Sequence, residues 1–189
     1  MNEEIAVWGD ELLEKGDPLG QIIALARMPG DRLRAAQREY ERAHFSDRAL
    51  ETVWRYGVLD EVHLKTKLGV TSAREIATCL ATRYLRVLEL EVESSIPAED
   101  PTPVLVEHGL PPSLRRLKLW ARVGKPDLRP LYAKIPHVEA LDLWRPDVLG
   151  VIDLPRLRSL RVVSFDKAQL VDLARAKVPA LESLAIVAV

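Results

Sequence analysis

Apolar residues recur along this chain at one short spacing, L-x-x-L-x-L. It appears as Leu85, Leu88 and Leu90 in LRVLELEV, then as Leu114, Leu117 and Leu119, and then as Val138, Leu141 and Leu143. Leu157, Leu160 and Val162 repeat it, as do Leu181, Leu184 and Ile186, and Leu59, Val62 and Leu64 form a weaker first copy. The alternation within each copy predicts a short strand with its apolar residues on one face. First positions at 59, 85, 114, 138, 157 and 181 leave intervals of 26, 29, 24, 19 and 24 residues. Such spacing leaves room for a crossover segment between parallel strands. Pro112, Pro136, Pro155 and Pro179 each stand two residues before a first apolar position, where proline fixes strand entry without losing a ladder bond.

The segments between the strands predict the opposite face. Thr71 to Tyr84 reads as a helix, with Ser72 and Glu75 at capping-box spacing and Ile76, Cys79, Leu80 and Tyr84 inward. Asp127 to Ile135 and Asp166 to Lys177 read as shorter helices, the latter with Leu170, Leu173 and Ala174 inward. Pro97 to Pro103 reads as a surface loop, and the link holding Pro146 and Gly150 has room only for a turn. Repeats of roughly 20–29 residues with this spacing are those of leucine-rich repeats. The expected fold is therefore α/β: a short leucine-rich-repeat solenoid, with about six parallel strands on a concave face and helices or turns on the convex face. The asparagine that usually follows each strand is missing. Glu93, Arg122, Pro146 and Phe165 stand there instead, and Asn2 is the chain's only asparagine. Less regular repeats are expected.

Residues 3–57 show helical periodicity and no strand pattern. Ile5, Trp8 and Leu12 mark one face of a first helix that Gly16 can end. Asp17-Pro18 predicts the N-cap and first position of a second, ended by Pro29-Gly30. Asp31 starts a third, with Leu33, Ala36, Tyr40 and Phe45 inward, and Ser46-Asp47 predicts a last short helix through Trp54. The stretch WGDELLEKGDPLGQIIAL resembles the signature of a bacterial repeat-companion domain, D-x-L-x-E-x-G-D-P-x-G-x-x-I. Asp10, Leu12 or Leu13, Glu14, Gly16, Asp17, Pro18, Gly20 and Ile23 match it, and the usual aromatic is displaced to Trp8. VWRYGVLDEVHL, with Trp54, Gly57 and Leu64, is similar to the junction between such a cap and its first repeat. The resemblance implies a helical cap (residues 1–57) on irregular leucine-rich repeats (58–189). It brings no activity with it. A cap is physically needed, because each repeat covers its neighbour's apolar face and the first would stand open.

Residues between the apolar positions face the concave side and fall into three columns. The first is Glu61, Val87, Arg116, Ala140, Ser159, Ser183; the second is His63, Glu89, Lys118, Asp142, Arg161, Ala185. The third is Lys65, Glu91, Trp120, Trp144, Val163, Val187. Glu89, Lys118, Asp142 and Arg161 alternate in sign, which suits either a self-neutralising ladder or selection of a charged partner. Trp120 and Trp144 share a position in adjacent strands. They suit a partner contact, or local stacking under Arg122 and Arg145. Glu89, Arg116, Lys118, Trp120, Asp142, Trp144 and Arg161 are thus the candidate partner-binding residues. The last pattern, ESLAIVAV, has no polar segment after it, so an open hydrophobic edge is expected, available for strand addition or self-association.

Chemistry narrows the classes. His44, His63, His108 and His137 lie in separate segments without metal-pair spacing, and Cys79 has no second thiol nearby. There is no nucleophile elbow, phosphate-binding glycine loop or paired-carboxylate constellation. The expectation is a non-enzymatic protein-protein interaction module or scaffold without metal or cofactor. Its alternative is a regulatory or targeting subunit of an enzyme encoded elsewhere. A net charge of −1, divided as −3 over residues 1–57 and +2 over 58–189, gives no field for nucleic acid or an acidic membrane. A single cysteine and an acidic N-terminus without a signal-peptide pattern predict a cytoplasmic protein.

Overall fold

The computed structural model describes residues 3–46, 50–67, 70–92, 101–121, 128–144, 149–163 and 167–187. Three helices come first: α1 (Glu3–Glu14), α2 (Pro18–Leu25) and α3 (Asp31–His44). Gly16 takes a left-handed φ of 73° after α1. Asp17 then caps α2, its carboxylate accepting from Leu19 N at 2.9 Å, and Pro18 occupies the first turn. A Cβ on Gly20 would land on the backbone of Leu13, so only glycine lets α1 and α2 pack this closely. Ile5, Leu12, Leu19, Ile22 and Ile23 are buried there, with Tyr40 and Phe45 from α3 and its exit.

A strand follows instead of a fourth helix. β1 (Leu50–Arg55) pairs antiparallel with β2 (Val58–Lys67). The expected helix from Ser46-Asp47 through Trp54 is thereby corrected over residues 50–54; Asp47 lies outside the described residues. Leu50, Thr52 and Trp54 alternate inward along β1, and β-branched and aromatic residues suit that half-buried surface. Thr52 Oγ1 and Trp54 Nε1 both donate to Glu41 Oε1 on α3, the latter at 2.6 Å. The hairpin turns on Tyr56 and Gly57, both at positive φ (55° and 83°), as a two-residue primed turn requires. A Cβ on Gly57 would stand 2.5 Å from Ile23 Cα, so the tip is seated on α2. The division between residues 57 and 58 falls within this hairpin.

The chain then alternates. α4 (Val70–Thr78) and a 3₁₀ turn (Leu80–Tyr84) precede β3 (Val87–Val92), and α5 (Thr102–His108) precedes β4 (Arg116–Ala121). α6 (Arg129–Tyr132) precedes β5 (Ala140–Trp144), β6 is Ser159–Val163, and α7 (Lys167–Ala174) precedes β7 (Ser183–Val187). The fold is α/β, with seven strands in one sheet in sequence order, every pair after β1·β2 parallel. The repeated apolar positions fall in one register: Leu88, Leu117, Leu141, Leu160 and Leu184 are successive partners, as are Leu90, Leu119, Leu143, Val162 and Ile186. From β2 to β6 these positions form the core, with Leu59, Leu85, Leu114, Val138 and Leu157 at 0% exposure beneath the strand entries.

The connecting segments depart from expectation in four places. The expected helix Thr71–Tyr84 breaks at Cys79, which is extended, and Leu80 beyond the break is 48% exposed. Ser72 sits inside the first turn of α4 and Glu75 accepts instead from Ser46 N and Oγ at 3.0 and 3.1 Å, so no capping box forms. Thr102 and Pro103, read as loop, open α5, where proline in a first turn costs no hydrogen bond. Leu170 and Ala174 of α7 are exposed rather than inward. Between β5 and β6 the described residues contain no helix; Leu149, Ile152 and Leu154 fill that edge at 0% exposure.

Candidate partner-binding surface

Lateral pairing in the parallel sheet brings the middle column together. Lys118 Nζ donates to Glu89 Oε1 at 2.7 Å, and His63 bridges Glu89 at 3.2 Å and Glu61 at 3.0 Å. Arg161 lies 3.7 Å from Asp142. The two acids respond oppositely. Burial pushes Glu89 up, but bonds from Lys118 and His63 outweigh it and hold its carboxyl below the ordinary range. Burial also pushes Asp142 up, and the looser contacts with Arg161 and Lys118 do not compensate. One correction applies to the columns: an irregularity after Leu64 pairs Lys67, not Lys65, with Glu91.

Trp120 and Trp144 stack at 4.6 Å between ring centroids and 22° between planes. Lys118 Nζ stands 4.5 Å from the Trp120 centroid and Arg161 Cζ stands 5.1 Å from that of Trp144. The cations over the rings therefore come from the middle column; Arg122 and Arg145 lie outside the described residues. Both indoles are half-buried. Among the described residues neither Trp Nε1 nor Asp142 Oδ1 meets a partner at full hydrogen-bond geometry, although the Trp144 indole lies close enough to Asp142 to favour its charged form. Six of the seven candidate residues thus form two linked clusters, Glu89–Lys118–Trp120 and Asp142–Arg161–Trp144. Arg116 stands apart, exposed in the first column.

A second ladder escaped the sequence reading. The residue after each first apolar position is Asp60, Arg86, Arg115, Glu139, Arg158 and Glu182. Arg86 grips Asp60 through Nε and through NH2 at 2.6 Å, Arg115 lies 3.4 Å from Glu139, and Arg158 lies 3.7 Å from Glu182. Backbone bonds from Arg86 N to Asp60 O and from Arg115 N to Arg86 O tie the same residues, at 2.9 and 2.8 Å. The signal lay in the position itself, which carries a charged residue in all six copies, opposite in sign between neighbours except at Arg86 and Arg115. In every copy but the first, where Asp60 lies inside β2, the residue precedes the strand and so falls outside the alternating positions.

The far edge of the sheet is different in kind. Leu184 is 51% and Ile186 39% exposed, although their register partners Leu160 and Val162 are at 1% and 0%. Val187, Leu170 and Val171 extend this apolar exposure. β7 (SLAIV) carries no charged residue, whereas β1 to β6 each carry at least one.

Other chemistry-bearing groups are tied into structure. The Cys79 thiol, pushed up by burial, contacts Tyr40 OH at 3.8 Å. His137 Nε2 meets Pro111 O at 2.9 Å, and His44 Nδ1 meets Tyr40 O at 2.9 Å. Among the described residues no three His, Cys, Asp or Glu side chains gather as a metal site, and no helix is long and apolar enough to cross a membrane. No protein-family model matches the chain, and neither a curated protein nor a solved structure matches it.

Proposed function

We propose that this chain is a non-enzymatic interaction module: a cytoplasmic leucine-rich-repeat solenoid closed at one end by a repeat-companion-like helical cap. Its docking face is the edge of β7, and the strand it accepts is β7 of a second copy. The carrying observation is the exposure of Leu184 and Ile186 at positions buried in β6. Antiparallel pairing about a two-fold at Ala185 would place Leu184 of one copy opposite Ile186 of the other. An isologous contact must be self-complementary, and an uncharged strand meets its own copy without like-charge repulsion. The absence of edge charges removes the usual guard against such pairing. The concave surface supports this role less well, because its charges pair with each other and its indoles stack on each other.

Four half-exposed side chains would be covered, against an association cost of several kcal/mol, so a weak dimer of roughly 10–100 μM is expected. Sedimentation equilibrium over a concentration series tests this. Wild type should dimerise and Leu184→Lys with Ile186→Lys should remain monomeric, while Trp120→Ala with Trp144→Ala should dimerise like wild type. A monomeric wild type at several hundred micromolar would refute self-pairing. Loss of the dimer in the tryptophan variant would move the interface to the concave face.

A further inference from the structure

The hairpin turn and the entries of β3 and β4 border an open cleft of about 380 Å³, distinct from the β7 edge. Small-ligand sites commonly span roughly 300–1,000 Å³. Arg55, Arg86 and Arg115 line it, with Asp60 as the one lining carboxylate among the described residues. Asp60 is 3% exposed and already engaged, lying 3.2 Å from Arg55 and gripped by Arg86. The guanidinium side chains remain 53%, 47% and 42% exposed. Asp60 thus positions two arginines without closing them off. Arg86 spends Nε and NH2 on Asp60. Arg115 spends NH1 on the carbonyls of Pro112 and Leu114 and turns Nε toward Glu139. Among the described residues Arg86 NH1 and Arg115 NH2 donate to no acceptor. Arg86 and Arg115 are also the one like-charged neighbour pair in their ladder, a juxtaposition that an anion between them would relieve.

An independent observation comes from the turn. Tyr56 holds a left-handed φ of 55°, a conformation costly for an aromatic residue, and is 45% exposed on this same cleft. Asparagine or glycine would serve the turn better, so the ring is held there against local preference. Tyr84 lines the cleft too, its hydroxyl donating to Glu4 at 3.0 Å.

We propose that this cleft binds a small organic oxyanion, a carboxylate or phosphate monoester, held between Nη1 of Arg86 and Nη2 of Arg115 beside Arg55, with its body against Tyr56 and Tyr84. Planar, multidentate donors match both oxyanions, and the aromatic rings select an organic body over a bare ion. Asp60 acts as a positioning residue.

The test is titration of the full chain with phenyl phosphate and, separately, benzoate at constant ionic strength, following arginine Nε–Hε and Gly57 amide resonances. A saturable shift with a roughly millimolar dissociation constant is expected from at least one probe, and the one that saturates identifies the oxyanion. Arg55→Gln with Arg115→Gln should weaken it by about tenfold or more, while Arg158→Gln with Arg175→Gln removes equal charge elsewhere and should leave it unchanged. Should the first variant lose its circular dichroism, Arg115→Lys, which keeps the charge and loses the planar guanidinium that is held by the Pro112 and Leu114 carbonyls, should still weaken binding. Absence of saturation by either probe up to about 50 mM overturns the proposal, as does equal weakening by both double variants.

Discussion

The first and last strands of the repeated pattern, β2 and β7, offer the same apolar positions and meet opposite surroundings. At β2, Leu59, Val62 and Leu64 are 0–1% exposed beneath the helical unit and its hairpin. At β7, Leu184 and Ile186 are 51% and 39% exposed, with no described element beyond them. The pattern therefore determines which residues a strand offers for burial, and the neighbour determines whether they are buried. The helical unit achieves closure at β2 by an unexpected device. It contributes a strand of its own, β1, which satisfies the backbone edge while α2 and α3 cover the face.

That contrast can be broken most forcefully in the core. Leu59→Ala should cost about 2–5 kcal/mol in urea unfolding, because it opens a cavity at a fully enclosed site. Leu184→Ala should cost under about 1 kcal/mol at low micromolar protein, since its side chain is half in water already. Equal losses at both ends would erase the distinction. Next in size is Gly57→Ala. It forces a Cβ into a left-handed turn and onto the Ile23 backbone, and about 2–4 kcal/mol should be lost, with near-ultraviolet signals of Trp8 and Trp54 changing first.

Smaller changes sharpen the picture. Tyr56→Asn should raise the unfolding midpoint, by about 0.5–1 kcal/mol, because asparagine tolerates the φ that tyrosine is held in. Smallest are the acids of the middle column, each worth under about 0.5 kcal/mol. The folded carboxyl of Glu89 is lowered, so its contribution is present above its unfolded value and disappears as pH falls through the folded one. Glu89→Gln should therefore destabilise at neutral pH and have no effect in acid. Asp142 is raised, so its ionisation opposes folding above the folded value. Asp142→Asn should stabilise at neutral pH, and the gain should vanish in acid. Chemical denaturation at several pH values reads both signs.

Strand positions and register were legible because alternation at a two-residue period leaves one choice of buried face, and Leu88, Leu117, Leu141 and Leu160 took it in register. The pairings Glu89–Lys118 and Asp142–Arg161 followed from that register alone. β1 was not legible. Its inward residues Leu50, Thr52 and Trp54 include only two large apolar side chains, and the turn lacks the asparagine that marks a hairpin. Helix α5 was obscured by Pro101 and Pro103, which break helices in the interior but not in a first turn. The opposite titration of Glu89 and Asp142 depended on distances that no spacing rule supplies.

The hairpin also gives the molecule a direction in time. Its contacts are local, since Leu50 meets Leu64 across a two-residue turn, whereas every later strand must wait for a crossover before finding its neighbour. In a stack where each strand touches only adjacent ones, ordering spreads outward from the best-anchored unit. Backbone amides should consequently exchange with solvent deuterium in a gradient, slowest in β2 and β3 and fastest in β7, so that the sheet frays from its apolar edge like a zipper fastened at one end.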